Sequence, residues 1–263
     1  MKKFLYLIVF AGLLLPTAVW SLEVAFFDNP TYTDTTEESA NLVTALEGLG
    51  HNVTIFSGIT ANDWLTATSA ANLLVIPELD VGPLAGDLDQ AALDAILGYV
   101  SGGGGFIGIS SNRVDAVYRD VTLWNAIFGF SLVHSDLISP YTLQSINPPF
   151  ADGPAELTYS SAVEGLLTSS LPAGAEAIYT DVAGETVVSV VPVGSGMFAQ
   201  LGFDWFTDDP TPPEWNDVLD RTISAVSGDI APVAPVPALG GFGLAAMIAL
   251  FGLFGTILTR RFV

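Results

Sequence analysis

Cysteine is absent from all 263 residues. This excludes a disulfide framework, a thiolate nucleophile and a cysteine-ligated zinc site. Basic residues are scarce, with seven Lys and Arg against 28 Asp and Glu, for a net charge of −21. Lys2, Lys3, Arg260 and Arg261 belong to the two apolar end segments. Arg113, Arg119 and Arg221 are then the basic residues of everything between, which has no lysine. So acidic a surface repels nucleic acid and anionic lipid headgroups. It suits a saline medium, where screening relieves self-repulsion, and equally it suits simple solubility at low isoelectric point. Histidine occurs only at His51 and His134, so an imidazole base has two candidates.

What is present begins with the ends. "MKKFLYLIVFAGLLLPTAVWS" sets two lysines before an apolar run and closes on Ser21, with Val19 two positions earlier. This is the build of a secretory signal peptide over 1–21, or of an uncleaved N-terminal anchor. From Ala238 to Thr259 no residue is charged, a length that can cross a bilayer as one helix. Arg260 and Arg261 follow and would stay on the cytoplasmic side. A buried core helix is the alternative. Residues 229–237, "DIAPVAPVP", alternate proline with small residues and read as an extended spacer.

Between the ends, about 210 residues are enough for one core. "LEVAFFDN" (22–29), "HNVTIFSG" (51–58), "NLLVIPE" (72–78) and "GFIGIS" (105–110) read as buried strands. They alternate with helical stretches. The first, over 34–50, is capped by Thr35 or Thr36, with Leu42, Val43, Leu46 and Leu49 on one face. The second, over 60–71, is capped by Thr60 or Asn62. The third, over 88–103, carries Leu93, Ile96, Leu97 and Val100. Alternation with short links predicts an α/β three-layer sandwich around a mostly parallel, flavodoxin-like central sheet. The second half is less regular. A helix is expected over 112–129, short strands at 130–135 and 141–146, a hairpin around Gly184, a buried strand over 196–206, and a last helix led by prolines and ended at Gly228.

Gly103, Gly105 and Gly108 formally satisfy G-x-G-x-x-G. A phosphate cradle needs such glycines after a strand and before a helix. Here a helix precedes them and a strand follows, so they read as a helix stop and a sharp turn.

The layout of "LLVIPELD", a helix, "GGGGFIGIS", and later "GSGMFAQLGFDWF" with a last helix resembles the class I glutamine amidotransferase-like superfamily, including its ThuA-like members, over roughly 22–228. The resemblance places a nucleophilic cysteine at the turn after the fourth strand, where this chain has Ser110, Ser111 and Asn112. It places a histidine and an acid after the late strand, where this chain has Phe203, Asp204 and Trp205. Cysteine and histidine are both missing. A serine would need a base to activate it. His51 lies at the wrong edge of the sheet. His134 could turn inward, or be an exposed or capping strand residue. The end "VPALGGFGLAAMIALFGLFGTILTRRFV" resembles the tripartite sorting tails of Gram-negative bacteria, the PEP-CTERM and IPTL-CTERM group, with Val236-Pro237-Ala238-Leu239 in place of the usual motifs. That resemblance implies a sorting protease of exosortase type in the inner membrane.

Asp28, Glu78, Asp80 and Asp204 fall at strand ends on the edge where open α/β sheets bind ligands. Four acids there could hold a hard cation such as Ca²⁺ or supply an acid–base pair; in so acidic a chain they could also cluster by chance. Asp87 and Asp89 of "GDLD" read as a helix cap. Asp208, Asp209, Glu214 and Asp217 read as a solvated loop and helix start. Trp205, Phe206 and Trp215 could form a sugar platform or fasten the last helix to the sheet.

The expectation is therefore an exported protein of a Gram-negative cell envelope, in the periplasm, at the cell surface or in the extracellular matrix. Its domain at 22–228 binds or builds and has no catalytic residues and no cofactor of its own. A membrane tail at 238–263 holds it before any processing. A polysaccharide or matrix component would be its partner, and nucleic acid would not. Two alternatives stand beside this. One is a ThuA-like hydrolase or sugar-modifying enzyme using Ser110, His134 and Asp204, or the strand-end carboxylates. The other is a Ca²⁺-stabilised matrix protein.

Overall fold

The computed structural model describes residues 21–110, 118–160, 163–206 and 212–227. The signal segment, the proline-rich spacer, the C-terminal tail and Gly228 lie outside the described residues, as do Ser111, Asn112, Arg113, Asp208 and Asp209. Among the described residues no helix is long and apolar enough to cross a membrane.

The first half alternates as its periodicity dictates. Strands β1 (Glu23–Phe27), β2 (Asn52–Phe56), β3 (Leu73–Ile76) and β4 (Gly105–Ile109) are separated by helices. These are α1 (Glu38–Gly48), α2 (Ala61–Thr68), the single turn α3 (Leu84–Asp87) and α4 (Gln90–Ser101). After β4 come α5 (Arg119–Phe128), β5 (His134–Ser135), β6 (Tyr141–Leu143), β7 (Glu156–Leu157) and β8 (Gly165–Leu166). The chain then forms β9 (Glu176–Thr180), β10 (Thr186–Val193), β11 (Gly196–Leu201) and α6 (Pro213–Val226).

The sheet runs β2-β1-β3-β4-β11-β10-β9-β6-β7, with β5 and β8 paired beside β10. From β2 to β11 every pairing is parallel, which is the 2-1-3-4-5 order of flavodoxin-like sheets with β11 in fifth place. Beyond β11 the pairings are antiparallel. The expected parallel sheet is thus one part of a mixed sheet, because hairpins from the second half extend its edge. Gly184, at φ 86°, makes the turn between β9 and β10.

Alternate strand residues feed two cores, as the period of two requires. Phe26, Val75, Ile107 and Leu201 pack on one face with Leu42 and Leu46 of α1 and Trp215, Leu219 and Ile223 of α6. Phe27, Leu74, Phe106 and Phe198 pack on the other with Trp64, Ile96, Val100 and Trp124 of the remaining long helices. Three layers result.

The caps show where local chemistry sets the boundaries. Thr60 and Asp63 form a reciprocal capping box at α2. Asp89 caps α4 by accepting from the Ala92 N–H at 2.8 Å. Asp87 instead ends α3 and accepts from the Tyr32 hydroxyl at 2.8 Å. At α1 neither Thr35 nor Thr36 caps. Asp34 Oδ1 accepts from Thr36 N and Oγ1 and from Glu37 N, organising the turn before the helix. The glycine run ends α4: Gly103 sits at φ 118°, and a Cβ on Gly108 would come within 2.5 Å of the Trp124 indole. Gly103 serves a turn at the N-terminal edge of the sheet, and Gly108 serves close packing of β4 against α5.

Candidate functional site

The C-terminal ends of β3, β4 and β11 form a crest, and the first turn of α1 reaches it. Glu78 arrives two residues after β3, Ser110 directly after β4, Asp204 three residues after β11, and Glu38 as the first residue of α1.

Ser110 is buried, and its surroundings are fixed by backbone pairing. Its N–H donates to Leu201 O at 2.8 Å. Its Oγ accepts from Gln200 Nε2 at 2.8 Å, and the same amide donates to Val187 O at 3.0 Å. Ser189 Oγ donates to Gln200 Oε1 at 3.3 Å. These bonds form a buried polar network centred on Gln200. Because β11 lies between β4 and β10, Gln200 can bridge the two serines across three strands.

His134 is turned inward rather than exposed, with its side chain only 3% accessible. Its Nε2 lies 2.6 Å from Glu164 Oε2, and its ring stacks on Tyr118 at 3.6 Å and 9°. Among the described residues, Ser110 Oγ accepts from Gln200 and His134 Nε2 bonds to Glu164, with no hydrogen bond between the serine and the imidazole. His51, as expected, stands at the opposite edge. Its Nδ1 accepts from Leu22 N at 3.3 Å, and burial lowers its pKa.

Glu38, Glu78 and Asp204 converge. One carboxylate oxygen from each lies within 4.8 Å of the others, and the residues are only 6%, 2% and 7% exposed. Burial, then the neighbouring Asp80 and Asp204, pushes the Glu38 carboxyl up to about 9. Burial also raises Asp204, against the hydrogen bonds from Phe206 N–H and Glu78 that lower it. Desolvation disfavours charge, and repulsion among carboxylates adds to it. Both effects favour the neutral acid form.

The backbone beside it is strained. Trp205 has φ 62°, a left-handed conformation rare outside glycine. Phe206 N donates to Asp204 Oδ1 at 2.7 Å, and Asn41 Nδ2 donates to Trp205 O at 3.1 Å. These bonds, with Phe203 stacked on Trp215 at 5.0 Å, hold the turn that presents Asp204. Trp205 and Trp215 are fully buried while Phe206 is half exposed. The aromatics fasten α6 to the sheet and do not form a platform.

The other strand-end acids part company. Asp28 Oδ1 accepts from Thr33 Oγ1 at 2.9 Å and closes its own loop. Asp80 lies close enough to raise Glu38 and is itself raised by burial and by Asp34. Beside it, buried Arg119 donates through Nη1 to the carbonyls of Leu79 (3.0 Å) and Asp80. Glu214 accepts from Thr158, and Asp217 from Arg221 at 2.9 Å. Sequence reasoning misses Glu38, which looks like any first-turn acid, and Glu164, which the Glu164 N to Gly202 O bond at 2.9 Å ties to the end of β11. The short apolar strand signal around Leu166 is the cue for the latter. A second group, His134, Asp136 and Glu164, also brings ligand atoms within 4.8 Å. A cleft of about 440 Å³ lies elsewhere, where Thr54 and Phe56 of β2 face Asn62 and Thr66 of α2.

No protein-family profile matches this sequence, and no curated protein matches it. Solved structures do. A cytoplasmic protein from Salmonella typhimurium LT2 is similar at TM-score 0.57 and 10% identity, covering 78% of this chain and 99% of its own. A putative ThuA-like protein from Bacteroides uniformis ATCC 8492 is similar at TM-score 0.54 and 13% identity, over 80% and 94%. A putative GMP synthase protein from Thermoplasma acidophilum is similar at TM-score 0.50 and 13% identity, over 78% and 93%. Built on a 2-1-3-4-5 parallel block, the domain has the ThuA-like, class I amidotransferase-like fold.

Proposed function

We propose that this chain is an exported cell-envelope protein whose amidotransferase-like domain binds a ligand at the crest of its sheet and turns over no substrate there. One observation carries this. The hydroxyl at the nucleophile's place, Ser110, accepts from a buried Gln200 amide, while the His134 imidazole is bonded to Glu164. A serine needs an adjacent base to become a nucleophile, and an amide NH₂ is a donor that cannot take its proton. Buried carboxylates dominate the crest instead. The signal-like N-terminus, the tail with its Arg pair and the acidic body support delivery to the envelope, with an exosortase-type protease and a polysaccharide or matrix component as partners.

Glutaminase, esterase and chromogenic glycosidase assays on the purified full chain test the non-catalytic role. Wild type and Ser110→Ala are expected to match the no-enzyme background in each assay. Turnover that disappears in Ser110→Ala would overturn the proposal. Fractionation of cells expressing the full chain tests delivery: recovery in the envelope fraction is expected, and recovery in the cytoplasm would contradict it.

A second reading has its own support. The raised pKa values of Glu38 and Asp204 are what a carboxyl acid–base pair needs near neutrality. A hydrolase of this kind would lose activity in Asp204→Asn and keep it in Ser110→Ala, so the same assays separate the two.

A further inference from the structure

We infer that Glu38, Glu78 and Asp204 together form a binding site for a single hard divalent cation of the size of Ca²⁺. The inference deepens the proposed binding role and rests on it only in placing the ligand at the crest.

Three features lead here. The first is spacing. The three carboxylate oxygens come from α1, the end of β3 and the turn after β11, and lie within 4.8 Å of one another. Oxygens on opposite sides of a Ca²⁺ ion, at about 2.4 Å each, are about 4.8 Å apart. The second is an orphaned atom: Glu38 Oε2 is buried and finds no hydrogen-bond partner among the described residues. A carboxyl oxygen in that position costs free energy unless something meets it. The third is charge. Asp80 and Asp34 add to the negative field at Glu38. A dication would neutralise most of three carboxylates and accept further oxygens from carbonyls or water. Glu38, Glu78 and Asp204 sit far apart in sequence, so a bound ion would also tie α1 to the two strand ends.

The test is thermal melting and isothermal titration calorimetry of the full chain, stripped with EDTA and titrated with CaCl₂. Parallel runs use MgCl₂, and NaCl at matched ionic strength. One binding event per chain is expected, with the midpoint raised by about 5 °C at a hundredfold excess over Kd. Mg²⁺, which demands tighter octahedral geometry, is expected to do less. Glu78→Gln and Asp204→Asn should abolish both signals, and His134→Gln should leave them unchanged. If either variant fails to fold, Glu38→Gln serves, because the amide keeps the size and shape of the carboxyl while removing its charge. Absence of binding heat in wild type, a rise equalled by NaCl, or binding that survives in Glu38→Gln would overturn the inference. Such a result would leave the turnover assays, and hence the non-catalytic role, standing.

Discussion

At position 110 a hydroxyl directly follows β4, and the Gln200 amide donates to it. Gln200 donates to Ser110 Oγ and Val187 O and accepts from Ser189, all in a buried setting. Gln200→Leu leaves several of these groups without a partner. It is expected to cost about 2–3 kcal/mol, against about 1 kcal/mol for Ser110→Ala, by urea unfolding. Equal costs would mean that the network is not shared. Glu38→Gln should behave in the opposite sense. Its carboxyl is held neutral by burial and by Asp80 and Asp204, so the amide mimics the favoured form. In divalent-free buffer at pH 7 the variant should melt at or above the wild-type temperature, and a lower midpoint would contradict the protonated state. Ser110, Glu78 and Asp204 are legible in the sequence because each falls within three residues of the end of an apolar strand. Glu38 is not, since its burial depends on two strand ends from distant parts of the chain closing over it.

Elements carry the next level of consequence. Strand β4 lies against α5 so closely that a Cβ at Gly108 would meet the Trp124 indole at 2.5 Å. Gly108→Ala should therefore cost about 1–3 kcal/mol in chemical denaturation through overpacking, and a neutral result would show that α5 shifts freely. The entry to β2 carries a titratable contact. His51 Nδ1 accepts from Leu22 N, which requires a neutral ring, and burial lowers its pKa while Asp220 opposes that shift. Its folded pKa thus lies below the ordinary 6.5. The stability it contributes is full above about 6.5 and is lost as pH falls through the folded value. Between pH 7 and 5 the wild type should lose more stability than His51→Gln, measured as the change in urea midpoint; parallel curves would refute the assignment. The elements of the first half follow from apolar runs, caps and glycine stops. The antiparallel edge does not, because β5, β7 and β8 have two residues each. Strands so short have no readable period, and their pairing is decided by partners far along the chain.

For the whole molecule, the charge of −21 and the scarcity of bases imply self-repulsion that salt relieves. Raising NaCl from 0.1 to 1 M shortens the Debye length from about 10 to about 3 Å. It should raise the melting temperature, and a fall would argue against an acidic surface adapted to saline surroundings. Within such a field, a cluster of buried carboxylates is stable only with protons or a cation to neutralise it. The most direct test is a crystal structure of the domain grown in CaCl₂, with anomalous data collected at long wavelength. The result expected is one calcium peak bounded by Glu38, Glu78 and Asp204, with Ser110 still bonded to Gln200. A crest without that peak, and with the Ser110 hydroxyl hydrogen-bonded to the His134 imidazole, would show a nucleophile and its base in the place assigned to a bound ion.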